Sequence, residues 1–319
     1  MDFELRFKEV LRKLAWRRDS MSHFVQVGTL PPRISLSRWK AQICKAGVLG
    51  VLIAWLYSPI IFRLAKQCWN DPNCSHGFLV PVFSGFVLWR ERSRLFALVP
   101  HPSSWGLPLL IFSLCVLVAG VLGAELFLSR LSLLLLVASL IIYLLGWEHF
   151  RIALFPLAFL ALMIPLPDIL LSQITFPLQI LASKFAAGLL PFMGVPVLRE
   201  GNLITIPAML LEVAEACSGI RSLVSLVTLA IIYGFFLEGR QSIRVVLAVA
   251  AIPIAVVANG LRVVGTGLLA QYVDPSKAKG FYHSLSGVFI FLLSLGLLSL
   301  LHGVLRGVWR AWEARRDAP

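Results

Sequence analysis

A thiol, a guanidinium and an imidazole each fall where a long apolar run begins or ends. They are Cys217 in Glu215-Ala-Cys-Ser-Gly-Ile-Arg221, Arg262 in Asn259-Gly-Leu-Arg, and His283 in Phe281-Tyr-His-Ser. These are the parts of a nucleophilic acyl transfer. A thiolate attacks a carbonyl, a cation holds the developing oxyanion, and an imidazole takes the thiol proton and returns it to a leaving amine. Counting places them together. A rise of ~1.5 Å per residue lifts Arg262 by ~27 Å from Arg244, about the thickness of a bilayer's hydrocarbon core. Counting back from Arg306 brings His283 just past the same boundary, and counting from Glu238 does the same for Arg221 and its neighbour Cys217. All three are expected at one outer surface of a membrane.

Each residue also has a plainer reading. A lone cysteine is most often an inert core filler, but Ser218 is a good N-cap for a helix starting near Gly219. That would leave Cys217 at the positive end of a helix dipole beside Arg221, a setting that favours thiolate. Arg262 is either an interfacial anchor or an electrophile facing a cavity, with Asn259 one turn earlier on the same face. His283 alone would pass for a packing residue at the head of a span. Glu212 and Glu215 precede the thiol at a spacing of three, where they either orient His283 or Arg262 or pair with Arg199. His76, in Asp71-Pro-Asn-Cys-Ser-His-Gly, is a weaker candidate for the same pocket, since turn formation explains most of that segment.

The elements that must position these groups are membrane helices. Of 319 residues 58% are hydrophobic and 14% charged, a balance foreign to soluble domains. The net charge of +13 raises the question of nucleic acid. Yet about 20 of the 29 Lys and Arg fall in the first 45 residues, at 90 to 94, at 151, at 240 to 244 and at 306 to 316, alternating with the other loops as the positive-inside rule demands. Topology and anionic lipid account for the charge, and no nucleic-acid partner is expected. Nor do the residues ask for a metal or cofactor. Cys44 and Cys115 read as apolar fillers, whereas Cys68 and Cys74 share one outer loop where an oxidising compartment would let them pair.

The expected fold is all-α and polytopic. Residues 1 to 45 form a basic segment whose first twenty residues pattern as an amphipathic helix on the inner leaflet, with Phe3, Phe7, Val10, Leu11 and Leu14 opposite Arg6, Lys13 and Arg17. This segment is too long for a signal peptide and is expected to be retained. Residues 46 to 305 form one transmembrane domain, with eight spans near 46–62, 76–89, 107–123, 131–146, 150–165, 221–237, 245–268 and 284–304. A basic tail, 306–319, returns to the cytoplasm. The segment 168–194 is apolar, but Ser172, Thr175, Gln179 and Ser183 fall at steps of three and four, as in an interfacial or re-entrant helix at the outer face. A short hairpin, 199–206 with 209–213, leads from it to Cys217.

Glu-Ala-Cys-Ser-Gly-Ile-Arg before one span, Asn-Gly-Leu-Arg in the next and His at the head of the last resemble the exosortase and archaeosortase family. The resemblance covers roughly residues 45 to 305 and includes Ser75-His-Gly and the hairpin. It implies a cysteine transpeptidase-like enzyme that cuts C-terminal sorting signals. In the bacterial branch these are PEP-CTERM tails: a Pro-Glu-Pro motif, one hydrophobic helix and a basic cluster. It further implies Cys217 as nucleophile, Arg262 as substrate or transition-state cation and His283 as acid/base. The implied setting is the outer face of the inner membrane, beside exopolysaccharide assembly. The partners would be the bilayer, tail-anchored protein substrates and an acceptor nucleophile of unknown kind. The competing reading is a non-enzymatic polysaccharide-export or assembly factor in which Arg262 and His283 bind an anionic lipid-linked sugar. A secondary transporter would need broken, charged helices at mid-bilayer and repeat symmetry, neither of which is evident.

Overall fold

A computed structural model describes residues 36–213, 219–274 and 281–316; the side chains at 36–44, 46, 72, 73, 75 and 281–286 also lie outside the description. The amphipathic helix expected over residues 1–20 is outside it too. Contacts divide the chain into a unit ending at Val48 and a unit running from Leu49 to Pro319. The described part of the first is the opening of helix α1 (Leu36–Asn70).

After α1 come a 3-10 segment (Pro72–Phe78), α2 (Leu79–Arg90), the short α3 (Arg92–Ala97), α4 (Gly106–Leu122), α5 (Leu126–Leu144) and α6 (Trp147–Leu160). Then follow α7 (Asp168–Leu189), strands β1 (Leu198–Glu200), β2 (Leu203–Ile206) and β3 (Met209–Glu212), and the helices α8 (Ile220–Leu237), α9 (Gln241–Tyr272) and α10 (Phe281–Arg316). Among the described residues six helical stretches are long and apolar enough to cross a membrane: Gly47–Asn70, Leu126–Leu144, Asp168–Met193, Ile220–Leu237, Gln241–Tyr272 and Gly287–Arg316.

The expected count of eight is not reproduced. Three of the eight segments form helices of 12, 17 and 14 residues, two of them below and one at the lower end of the ~17–25 residues of a crossing. Local geometry shortens two of them. The 3-10 segment takes up the start of 76–89, and Ala161–Met163 turns to 3-10 geometry at the end of α6. Conversely, α7 is long and apolar enough to cross, although the sequence placed it at the outer face. Its contacts qualify that length. Phe185 lies against Gly260 and Leu190 against Gly267 of α9, while Asp168 and Leu171 share a cavity with Ile220 and Val224 of α8. Helix α7 thus runs beside the distal part of α9 and begins where α8 begins.

Helices α8 and α9 form an antiparallel hairpin, with Gly219 against Asn259 at one end and Gly234 against Arg244 at the other. Leu226, Ala230, Leu247, Ala251 and Leu298 of α10 close its apolar seam. Helices α4 and α5 pack as closely, because Gly106 abuts the Tyr143 backbone and Gly120 abuts Ser129. Tyr57 of α1 bonds to Ser132 of α5, Oη to Oγ, at 2.9 Å. The expected hairpin is a three-stranded antiparallel meander, with Glu200 opposite Leu203 and Leu203 opposite Glu212. Its Ile204 and Ile206 are buried with Ala186, Leu190 and Val263, so β2 is wedged between α7 and α9. Arg199 donates to the Gly201 carbonyl at 2.7 Å.

Candidate active site

Helix α8 starts at Ile220 because Gly219, its N-cap, adopts a left-handed conformation with φ +81°, open to glycine and strained for other residues. The capping position therefore falls on Gly219, not on Ser218 as the sequence suggested. Residues 214–218, which include Glu215, Cys217 and Ser218, lie outside the described residues. Glycine is required here for a second reason. A Cβ at 219 would stand 2.7 Å from Asn259 Cγ, so the backbone at position 219 sits hard against α9. Asn259 is 4% exposed.

One turn further along α9, half-buried Arg262 directs its guanidinium at α10. A Cβ at Gly287 would lie 3.3 Å from Arg262 Nη2 and 3.5 Å from Cζ. Gly287 follows position 283 by one helical turn on the same face; the His283 side chain itself is outside the described residues. The structure thus brings together the start of α8, the Asn259 to Arg262 turn of α9 and the first turns of α10.

Arg221 and His76 meet in a neighbouring cavity of about 240 Å³, which Gln67, Asp71, Cys74 and Asp168 also line. His76 Nε2 lies 3.1 Å from the Leu162 carbonyl. A carbonyl can only accept, so Nε2 carries the proton and Nδ1 is left as a buried acceptor without a hydrogen-bond partner among the described residues. Burial pushes the His76 pKa below the ordinary histidine value, against a smaller opposing effect of the Leu162 bond, and keeps the ring neutral near pH 7. Cys74 is pushed up to about 12, by burial first, then by Cys68 and Asp71, with Arg130 opposing. It is a protonated thiol at neutral pH and no nucleophile. Cys68 and Cys74 are both free.

Two residues near this cavity were missed from sequence. Arg130, only 4% exposed, donates Nη2 to Gln67 Oε1 at 2.7 Å. Its signal was a charge inside an apolar run, which marks a buried or functional group. Asp168, in the first turn of α7, carries no comparable signal, because an acid at a helix N-terminus is ordinary.

The other end of the α8–α9 hairpin is basic. Arg90 and Arg244 both stack on Phe235, at 5.0 and 5.4 Å. Arg94 of α3, Arg151 of α6 and Arg244 of α9 line one cavity. Buried Glu238 bonds to His302 Nε2 at 3.2 Å, and His302 Nδ1 to Tyr233 Oη at 2.9 Å. Arg240 grips Glu313 through both carboxylate oxygens at 2.9 Å, so the basic tail continues as helix and docks on the α8–α9 connection.

Long apolar helices and glycine-mediated helix contacts define an all-α, multi-pass integral membrane protein. The chain matches the transmembrane exosortase family over residues 68–300 and belongs to that family. No curated protein and no solved structure matches it.

Proposed function

We propose that the protein is a membrane-embedded cysteine peptidase or transpeptidase that cleaves PEP-CTERM-type C-terminal sorting signals of exported proteins, at the outer face of the inner membrane and in connection with exopolysaccharide and cell-surface assembly. One observation carries the reading. Gly219 touches Asn259 and Arg262 reaches Gly287, so the start of α8, two residues after Cys217, meets the Arg262 turn of α9 and the opening turns of α10, where His283 falls in the sequence. Family membership supports the class of chemistry.

In the proposed reaction Cys217 Sγ, as thiolate, attacks the scissile carbonyl carbon. The oxyanion forms against Arg262, and the carbon–nitrogen bond breaks as His283 gives its proton to the leaving amine. The resulting thioester is resolved by an acceptor amine, giving transfer, or by water, giving hydrolysis. A substrate tail anchored by its own helix presents the scissile peptide at one depth, which converts a search in three dimensions into alignment along a membrane boundary. Asn259, Arg221, Glu215 and His76 are assigned supporting roles around the peptide. The sidedness rests on arginines of three separate helices gathering at the end opposite Gly219. Helix α7 stays at the outer face in this reading, because it abuts α9 beyond Asn259.

The test is co-expression with a tailed substrate. Cys217→Ala is expected to abolish cleavage while the protein still accumulates in the membrane, and Cys217→Ser to be nearly as inactive. Cleavage by Cys217→Ala near the wild-type level would reject the proposal.

A further inference from the structure

The cavity at the basic end plays no part in the proposed chemistry. It encloses about 620 Å³ between α2, α6, α8 and α9, within the size range of small-ligand sites. Its polar lining is Glu91, Arg94, Arg151, Gln241 and Arg244, so three guanidiniums face one carboxylate and two positive charges are in excess. Its remaining lining is apolar and includes Phe155 and Val245. These two are 43% and 60% exposed. A water-soluble anion would use the arginines and leave the apolar wall unmatched. A hydrocarbon chain would use only the wall.

We propose that this cavity binds an anionic phospholipid. The headgroup phosphate sits among Arg94, Arg151 and Arg244, and an acyl chain lies along Ile152, Phe155 and Val245. Charge complementarity and the amphipathic lining both point to that occupant. The site is prepared for it. Arg244 is oriented by Nε donating to the Glu238 carbonyl at 2.7 Å. Arg94 holds Glu91 at 3.1 Å in a solvent-exposed pair that a phosphate can displace. Among the described residues Arg151 makes no ion pair. A bound lipid would join the α6 end to the α8–α9 connection, at the end remote from Gly219.

The experiment uses the full chain purified in an uncharged detergent and native mass spectrometry with phosphatidylglycerol or phosphatidylcholine. Wild type is expected to retain phosphatidylglycerol about tenfold better than phosphatidylcholine. In the Arg94→Gln/Arg151→Gln variant the preference should nearly vanish. Arg151→Gln alone, at an exposed position, should reduce it severalfold if the double variant does not fold. Arg310→Gln, a surface arginine on α10, should leave it intact. The proposal is overturned if the folded variants keep the preference, if Arg310→Gln loses it equally, if the two lipids bind alike, or if excess inorganic phosphate displaces the lipid. Substrate cleavage in the same variants reports on the active site separately.

Discussion

Replacing Gly219 by alanine perturbs the proposed site without touching a reactive group. The left-handed backbone at φ +81° would cost an alanine about 1–2 kcal/mol. The new Cβ would meet Asn259 Cγ at 2.7 Å and Asn259 Cβ at 2.9 Å, an overpacking worth about 1–3 kcal/mol. The sum is roughly 2–5 kcal/mol. Gly201 is the matched control, because its φ is +62° and a Cβ added there would have nothing within 4 Å, so Gly201→Ala should lose only the backbone part. Relief at 219 requires a shift of about 0.7 Å to reach ordinary contact, two residues from Cys217. Misplacement on that scale costs about 100-fold in rate. The assay is the ratio of cleaved to uncleaved tailed substrate at matched enzyme levels, with thermal unfolding in detergent alongside. Gly219→Ala should process about 100-fold less while Gly201→Ala processes normally. Processing by Gly219→Ala within twofold of wild type, or an equal loss in Gly201→Ala, would refute the reasoning.

Arg262→Lys keeps the charge but loses the planar fork, and should lower the same cleavage ratio on the order of 100-fold; wild-type cleavage would make Arg262 an anchor. Cys74, held at about 12, should resist alkylation at pH 7 and gain about tenfold in rate per pH unit above it, as followed by mass spectrometry of the folded protein. Labelling at the rate of an ordinary free thiol would contradict its burial. For Glu238, burial pushes the pKa up, but hydrogen bonds from Arg240, His302 and Gly239 and the charge of Arg306 outweigh it, leaving the carboxyl below its usual 4.5. The folded state therefore binds fewer protons there than the unfolded state, so this stability is present above pH 4.5 and is lost as pH falls below it. The thermal midpoint of wild type should drop on acidification through that range, and Glu238→Gln should show a smaller drop. Impermeant thiol labelling of single-cysteine variants in intact cells should modify position 275 and spare 241 and 315; labelling at 241 would reverse the proposed orientation.

Much of this architecture was legible without coordinates. Helices α8, α9 and α10 were expected over 221–237, 245–268 and 284–304 and occur there, extended at their ends. Hydrophobic length and the placement of Lys and Arg are properties of consecutive residues, which a sequence displays directly. The strand-forming run before Cys217 was visible for the same reason, though not its third strand. The turn-forming residues of 71–77 hinted at the 3-10 segment before α2, but the 3-10 turn that ends α6 was not visible, since Ala161–Met163 is apolar throughout.

What tertiary structure decided are meetings between residues far apart in the chain. Whether α7 lies with the spans or beside the distal half of α9 depends on Phe185 finding Gly260 and Leu190 finding Gly267. The pairing of Glu238 with His302 and Tyr233, and the gathering of Arg94, Arg151 and Arg244 around one cavity, likewise join separate helices. Composition determined that this chain would live in lipid, because burial in a bilayer responds to the sum of side-chain polarity along each run. Which glycine touches which helix is set by interhelical packing in three dimensions, and no local period in the sequence encodes it.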